Sequence, residues 1–278
     1  MTKKELMSGK YHLNVKLNPD SVVNQVSIQA GESLRLFALI TEIFDHAENI
    51  KIPDVQNCFP MWSVSLSVKS TDELKQDMLS MMIETAMSNL MRSISECLDE
   101  FTWYMELYNF FIPQRKLLSD DFNRFRSETA EILKGQHKSA LKNRLEWIDM
   151  RYGIISAHKS SILTLNDMRN CYVHRKGLVT DLDINDSIAK SLKIEYLRPF
   201  VFVVRDGEEV EVVAPFRLHD GEVGQRRAKE EHRAFIRGER IKLTLREFGY
   251  ICFSCWNFAV DLAGKLPIVG KSNESQDR

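Results

Sequence analysis

The stretch STDELKQDMLSMMIETAMSNLMRSISECLDEFTWYMELYNFFIP, residues 70–113, decides the fold class. Leu74, Met78, Met81, Met82, Ala86, Leu90, Ile94, Leu98, Phe101 and Met105 recur three or four residues apart, the period that gathers apolar side chains on one face of an α-helix. Ser70 or Thr71 can cap the first amides, Asp72 and Glu73 suit the positive end of the helix dipole, and Pro113 stops the run. At 1.5 Å per residue such a helix is about 60 Å long, so it is expected to kink or to span an oligomer. Its methionines read as core filling in preference to an adaptable groove.

Further helical periods lie on both sides. Upstream, Glu32 to Ala47 carries Leu34, Leu36, Phe37, Ile40, Ile43 and Phe44 at helical spacing, with Pro53 and Pro60 enforcing a break. Before it, Val22, Val23, Val26 and Ile28 predict a strand or extended arm, with a turn at Pro19-Asp20. Downstream, helices are expected at 120–133, at 138–150 and from Ser160 to Val173. The period then changes: Phe200 to Arg205 and Glu208 to Val213 flank Asp206-Gly207, a β-hairpin signature. Residues 220–242 are polar and read as a solvated helix or loop, and Thr244 to Leu262 returns to helical spacing. The chain is therefore expected to be mainly α, an antiparallel helical bundle with a small β-hairpin appendage. Residues 1–69 form an N-terminal arm and helix, 70–180 the helical core, and 181–278 the hairpin and a C-terminal helix packing on that core. The three can also be one continuous domain.

Composition narrows the function classes. The 278 residues are 44% hydrophobic and 28% charged, as in an ordinary globular chain, and the net charge is −1. A generic polyanion binder needs a large excess of Lys and Arg, so any nucleic-acid affinity must be local. Met1-Thr-Lys-Lys-Glu5 opens no signal peptide, and no apolar run reaches membrane-spanning length, which predicts a cytoplasmic protein without membrane contact. Five cysteines, an odd number in a chain this long, read as reduced thiols.

The chemistry is concentrated in Asn166-Asp-Met-Arg169-Asn170-Cys171-Tyr172-Val173-His174-Arg175-Lys176-Gly177-Leu178-Val179, with Gly177 placed as a helix stop. At about 100° per residue Asn170 and His174 lie about 40° apart, so Asn170 is expected to orient His174, while Arg169, about 140° away, must reach by its long stem or across to a second chain. Cleaving RNA without a metal requires a base for the 2′-hydroxyl, an acid for the leaving 5′-oxygen and a cation for the phosphate. Imidazole exchanges protons near neutral pH and guanidinium grips phosphate oxygens in a fork. The bare Arg-x₄-His spacing carries little information, because Arg227 and His232 repeat it. The Asn after Arg169 and the Val-His-x-x-Gly helix end add the specificity.

Arg-Asn-x-x-Val-His-x-x-Gly-x-Val from Arg169 to Val179, preceded by amphipathic helices, resembles the motif of the HEPN superfamily (higher eukaryotes and prokaryotes nucleotide-binding). The resemblance covers about eleven residues in its motif. It implies a HEPN-type up-and-down bundle that forms a homodimer with a composite active site, and a metal-independent endoribonuclease acting as a toxin or antiphage-defence effector, with an antitoxin or defence-system partner. It assigns catalysis to Arg169, Asn170 and His174 and requires no cofactor, while Arg175 and Lys176 beside the motif are candidate RNA-binding positions by their charge alone. Where HEPN members controlled by a nucleotidyltransferase have a Tyr soon after the His, this chain has Arg175 and Lys176.

Other readings compete. The helices can be a non-catalytic nucleotide- or protein-binding module in which Asn170 and His174 close a helix end. Cys171 and His174 with Cys252 and Cys255 offer four zinc-type donors, although the latter pair sits in an apolar helical run where buried thiols are the better expectation. The basic residues from Arg226 to Lys242 are interleaved with Glu230, Glu231 and Glu239; the alternative to a solvated segment is a guide for RNA. Trp103, Tyr104 and Tyr108 are aromatic enough to stack bases, but on an amphipathic helix they are expected in a core or a dimer interface.

Overall fold

The structure is a computed structural model that describes residues 18–46, 71–111, 119–205, 207–212 and 223–267. It is mainly helical, with α1 (Asp20–His46), α2 (Thr71–Phe111), α3 (Ser119–His137), α4 (Leu141–Tyr152), α5 (Lys159–Arg175) and α6 (Leu245–Gly264), and a small antiparallel sheet of β1 (Ser191–Arg205), β2 (Glu208–Val212) and β3 (Gln225–Ile236). Among the described residues no helix is long and apolar enough to cross a membrane. The expected caps at Ser70 and stop at Pro113 lie outside the described residues.

α1 corrects the reading of residues 20–30. Asn18 Oδ1 accepts a hydrogen bond from the Asp20 N–H at 3.2 Å, Pro19 immediately precedes the helix and Asp20 supplies an acidic first turn. That combination starts a helix, and it overrides the β-branched Val22, Val23 and Val26. Val22, Val26, Ala30, Phe37 and Ile40 are buried, and Ile43 is exposed.

α2 follows its predicted stripe from Ala86 onward, but the buried face also takes in Ile83, Met87, Met91 and Cys97, while Met78 and Met81 are exposed. The chain separates into two compact units. One comprises residues 1–28, 92–159 and 256–278. In it Phe125 of α3 meets Trp103 and Phe110 of α2 at ring distances of 5.1 and 5.0 Å, which places Trp103 in the packing and not on a stacking platform. Tyr104 is buried and donates its hydroxyl to Pro267 O at 2.7 Å. Arg144 of α4 is also buried, bonded to Asp99 Oδ1 at 2.5 Å and to Ser95 O at 3.1 Å.

The second unit comprises residues 29–91 and 160–255, and holds α5 and the sheet. Phe37 of α1 stacks on Phe248 of α6 at 4.4 Å, and Ser33 Oγ donates to Ala86 O of α2. The hairpin forms as expected: Val201 to Arg205 pair with Val212 to Glu208, and Gly207 takes a φ of 85°. Asp206 lies outside the described residues. The sheet is larger than a hairpin, however. β1 starts at Ser191 and pairs with β3 from Ser191↔Ile236 to Phe202↔Gln225, so residues 225–236 are a strand and not the solvated helix or loop expected. Their own pattern hides this, because only Phe235 of β3 is buried. The partners that fix it are across the ladder: Arg198 bonds Glu211 and Glu231, and Arg227 bonds Glu209. These opposite charges hold the three strands in register across a solvent-exposed face, where each pair contributes little by itself.

Candidate functional site at the end of helix α5

Ile162, Leu165, Met168, Cys171 and Tyr172 recur at helical spacing and are fully buried, which fixes the rotation of α5. Arg169 and Asn170 fall at the margin of that face, half-buried, and His174 one turn beyond Asn170 is exposed. Arg169 Nη1 donates to Asn170 Oδ1 at 3.1 Å, and its Nε reaches Ser88 Oγ of α2 at 3.4 Å. The structure thus brings Arg169 and Asn170 together; His174 has no hydrogen-bond partner among the described residues, and Asn170 is engaged by Arg169 instead of by the imidazole. Ser88 was not foreseen: it lies 81 residues away in sequence, and a serine on a predicted helix carries no signal of its partner.

The helix ends one residue after His174, at Arg175, in a hydrogen-bonded frame. Lys176 and Gly177 both have positive φ, 51° and 75°, and their N–H groups donate to Tyr172 O and Cys171 O. Glycine is required at 177, since a Cβ there would lie 2.7 Å from Tyr172 Cε1. The segment after β3 braces this end: Ile241 N–H donates to Gly177 O at 2.8 Å, Tyr172 Oη to Ile241 O at 3.1 Å and Arg240 Nη1 to Lys176 O at 3.0 Å.

Arg175 is committed elsewhere. Its Nε contacts Asp183 Oδ1 and Oδ2 at 2.8 and 2.6 Å and its Nη2 also bonds Oδ1, while Thr180 donates N–H and Oγ1 to the same carboxylate. Burial pushes the Asp183 carboxyl up, but the hydrogen bonds from Arg175 and Thr180 outweigh it and hold the group below the usual carboxylate range. Burial raises Asp167, and the nearby Asp183 adds to this against a hydrogen bond from Asn185.

Cys171, Cys252 and Cys255 are buried thiols, and burial pushes Cys171 and Cys252 up to about 12, away from the thiolate a metal takes. No group of three or more His, Cys, Asp or Glu among the described residues is arranged to hold a metal ion. The basic segment of β3 is largely neutralised, by the sheet where Arg227 meets Glu209 and Lys229 lies between Glu211 and Glu231, and by α6 where Arg233 meets Glu247.

No family model matches the chain, and neither a curated protein nor a solved structure shows a significant likeness to it.

Proposed function

We propose that this chain is a metal-independent endoribonuclease of HEPN type, a toxin or antiphage-defence effector that works as a homodimer with a composite site and is restrained by an antitoxin or defence-system partner. The observation that carries the reading is the coupling of Arg169 to Asn170 at 3.1 Å beside an exposed imidazole one helical turn away. A guanidinium whose Nε and Nη1 are held by Ser88 and Asn170 keeps its other N–H groups for a phosphate. An exposed His174 can reach a substrate that approaches from solvent.

His174 takes the proton of the 2′-hydroxyl, and the 2′-oxygen attacks the adjacent phosphorus. Arg169 neutralises the charge that gathers on the non-bridging oxygens. The bond to the 5′-oxygen breaks, and that oxygen receives a proton from His174 of the partner subunit. The products carry a 2′,3′-cyclic phosphate and a 5′-hydroxyl, and no oxidant, water or metal enters the step. Lys176 supports RNA binding, whereas Arg175 serves the fold through Asp183.

Purified protein incubated with total RNA in excess chelator tests this. Wild type should cut and leave cyclic-phosphate ends, and His174→Ala should lose about 10²- to 10⁴-fold in rate without a change in melting temperature. If wild type and His174→Ala cut equally, or neither cuts even after separation from any co-purifying partner, the non-catalytic binding module replaces this reading.

A further inference from the structure

We propose that Lys176, Arg240 and Lys242 form a phosphate track that leads a single strand of RNA to His174. The inference rests on the ribonuclease reading for where the strand goes, but its binding chemistry stands on separate observations.

Lys176 and Arg240 are 64 residues apart in sequence and are joined by the hydrogen bond from Arg240 Nη1 to Lys176 O and by the bridge between Leu178 and Arg240. Ile241 is buried at 3% exposure, so its neighbours Arg240 and Lys242 in the same extended segment are turned outward on either side of it. Lys176 and Lys242 are exposed, and all three cations lie at the helix end that carries His174.

The carboxylates of this region are engaged elsewhere. Asp183 is held by Arg175 and Thr180, Asp181 pairs with Arg237, Glu239 accepts the Ile236 N–H, and Glu247 is bonded by Thr244 and Arg233. Lys176, Arg240 and Lys242 have no ion-pair partner among the described residues, in contrast to Arg227 and Lys229 on the sheet. Three cations against the one carboxylate here without a cationic partner, Glu239, leave a local positive excess in a chain of net charge −1, the pattern that binds a phosphate backbone at one place and not over the whole surface. The occupant is a single strand because attack by a 2′-hydroxyl needs a backbone free to bring its oxygen in line with the phosphorus.

The test measures binding of a fluorescein-labelled single-stranded RNA, 2′-O-methylated throughout so that it cannot be cleaved, by anisotropy across a salt series. Lys176→Asn, which keeps the positive φ accessible, is combined with Lys242→Gln. The double variant should lower the slope of log affinity against log salt by about 1.4, from about 0.7 per lost contact on a single strand, and weaken binding roughly tenfold at low salt. Arg227→Gln on β3, at a cation already paired with Glu209, should leave the slope unchanged, and Lys242→Arg should retain the wild-type slope. A double variant with wild-type slope and affinity overturns the track while leaving the ribonuclease reading intact. Wild type that shows the predicted slopes but leaves unmodified RNA whole keeps the track and removes the ribonuclease. No binding by wild type at low salt overturns the track whatever the cleavage assay gives.

Discussion

The guanidinium of Arg175 faces the Asp183 carboxylate edge-on, with Nε 2.8 and 2.6 Å from its two oxygens. This pair ties the last turn of α5 to the loop that follows it, and Thr180 adds two more donors to the same oxygen. Asp183→Asn should cost about 2 kcal/mol in urea denaturation, since it leaves Arg175 and the Thr180 amide poorly matched. The sign with pH follows from the lowered carboxyl: the stabilisation is complete above the unfolded value of about 3.9 and is lost as pH falls through the lower folded value. The stability gap between wild type and the variant should therefore persist down to about pH 4 and close below it. A gap that closes already near neutral pH contradicts this account.

Gly177 and Gly238 separate backbone conformation from crowding. Both have positive φ, 75° and 84°, but an added Cβ meets Tyr172 at 2.7 Å in the first and nothing within 4 Å in the second. Gly238→Ala should cost about 1 kcal/mol and Gly177→Ala about 2–4 kcal/mol, read as thermal melting shifts. Equal shifts would mean that the Tyr172 ring yields freely.

Ser88 positions Arg169 through a long contact of 3.4 Å. Ser88→Ala should lower the cleavage rate about fivefold, the effect of one hydrogen bond of about 1 kcal/mol, with RNA affinity and melting temperature unchanged. Ser88→Thr, which keeps the hydroxyl, should restore most of the rate. A purely structural role would move the melting temperature and not the rate.

Arg144 and Asp99 test the other unit. Burial raises the Asp99 carboxyl, with Arg144 and the His137 imidazole pulling it back, and Arg144 itself is only 4% exposed. Arg144→Met should cost about 1.5–3 kcal/mol by leaving the half-buried Asp99 carboxylate with only His137 beside it, and adding Asp99→Leu should recover much of that loss in chemical denaturation.

The helices were legible because their information is local. The period of α2 and the apolar face of α5 can be read from neighbours three and four residues apart, as can Gly177 as the stop. Where a stronger local signal competed, the weaker one misled: the valines at 22, 23 and 26 pointed to a strand, while Asn18-Pro19-Asp20 had already started a helix. β3 could not be read at all, since almost no apolar side chain of QRRAKEEHRAFI is buried and its stabilising partners sit on β1, β2 and α6. The site divides in the same way. Arg169, Asn170 and His174 stand together in one helical segment, whereas Ser88, Asp183 and Arg240 reach it only through folding.

The brace between Tyr172 and Ile241 spans 69 residues of chain. Closing so long a loop carries an entropic cost that the pairing of β1 with β3 offsets by bringing Ile241 back beside α5, so the shape of the helix end depends on the sheet. During synthesis, a ribosome must deliver the whole sheet and the residues just beyond it before this corner can lock. A chain cut short before residue 241 therefore lacks the clamp on the turn that follows His174.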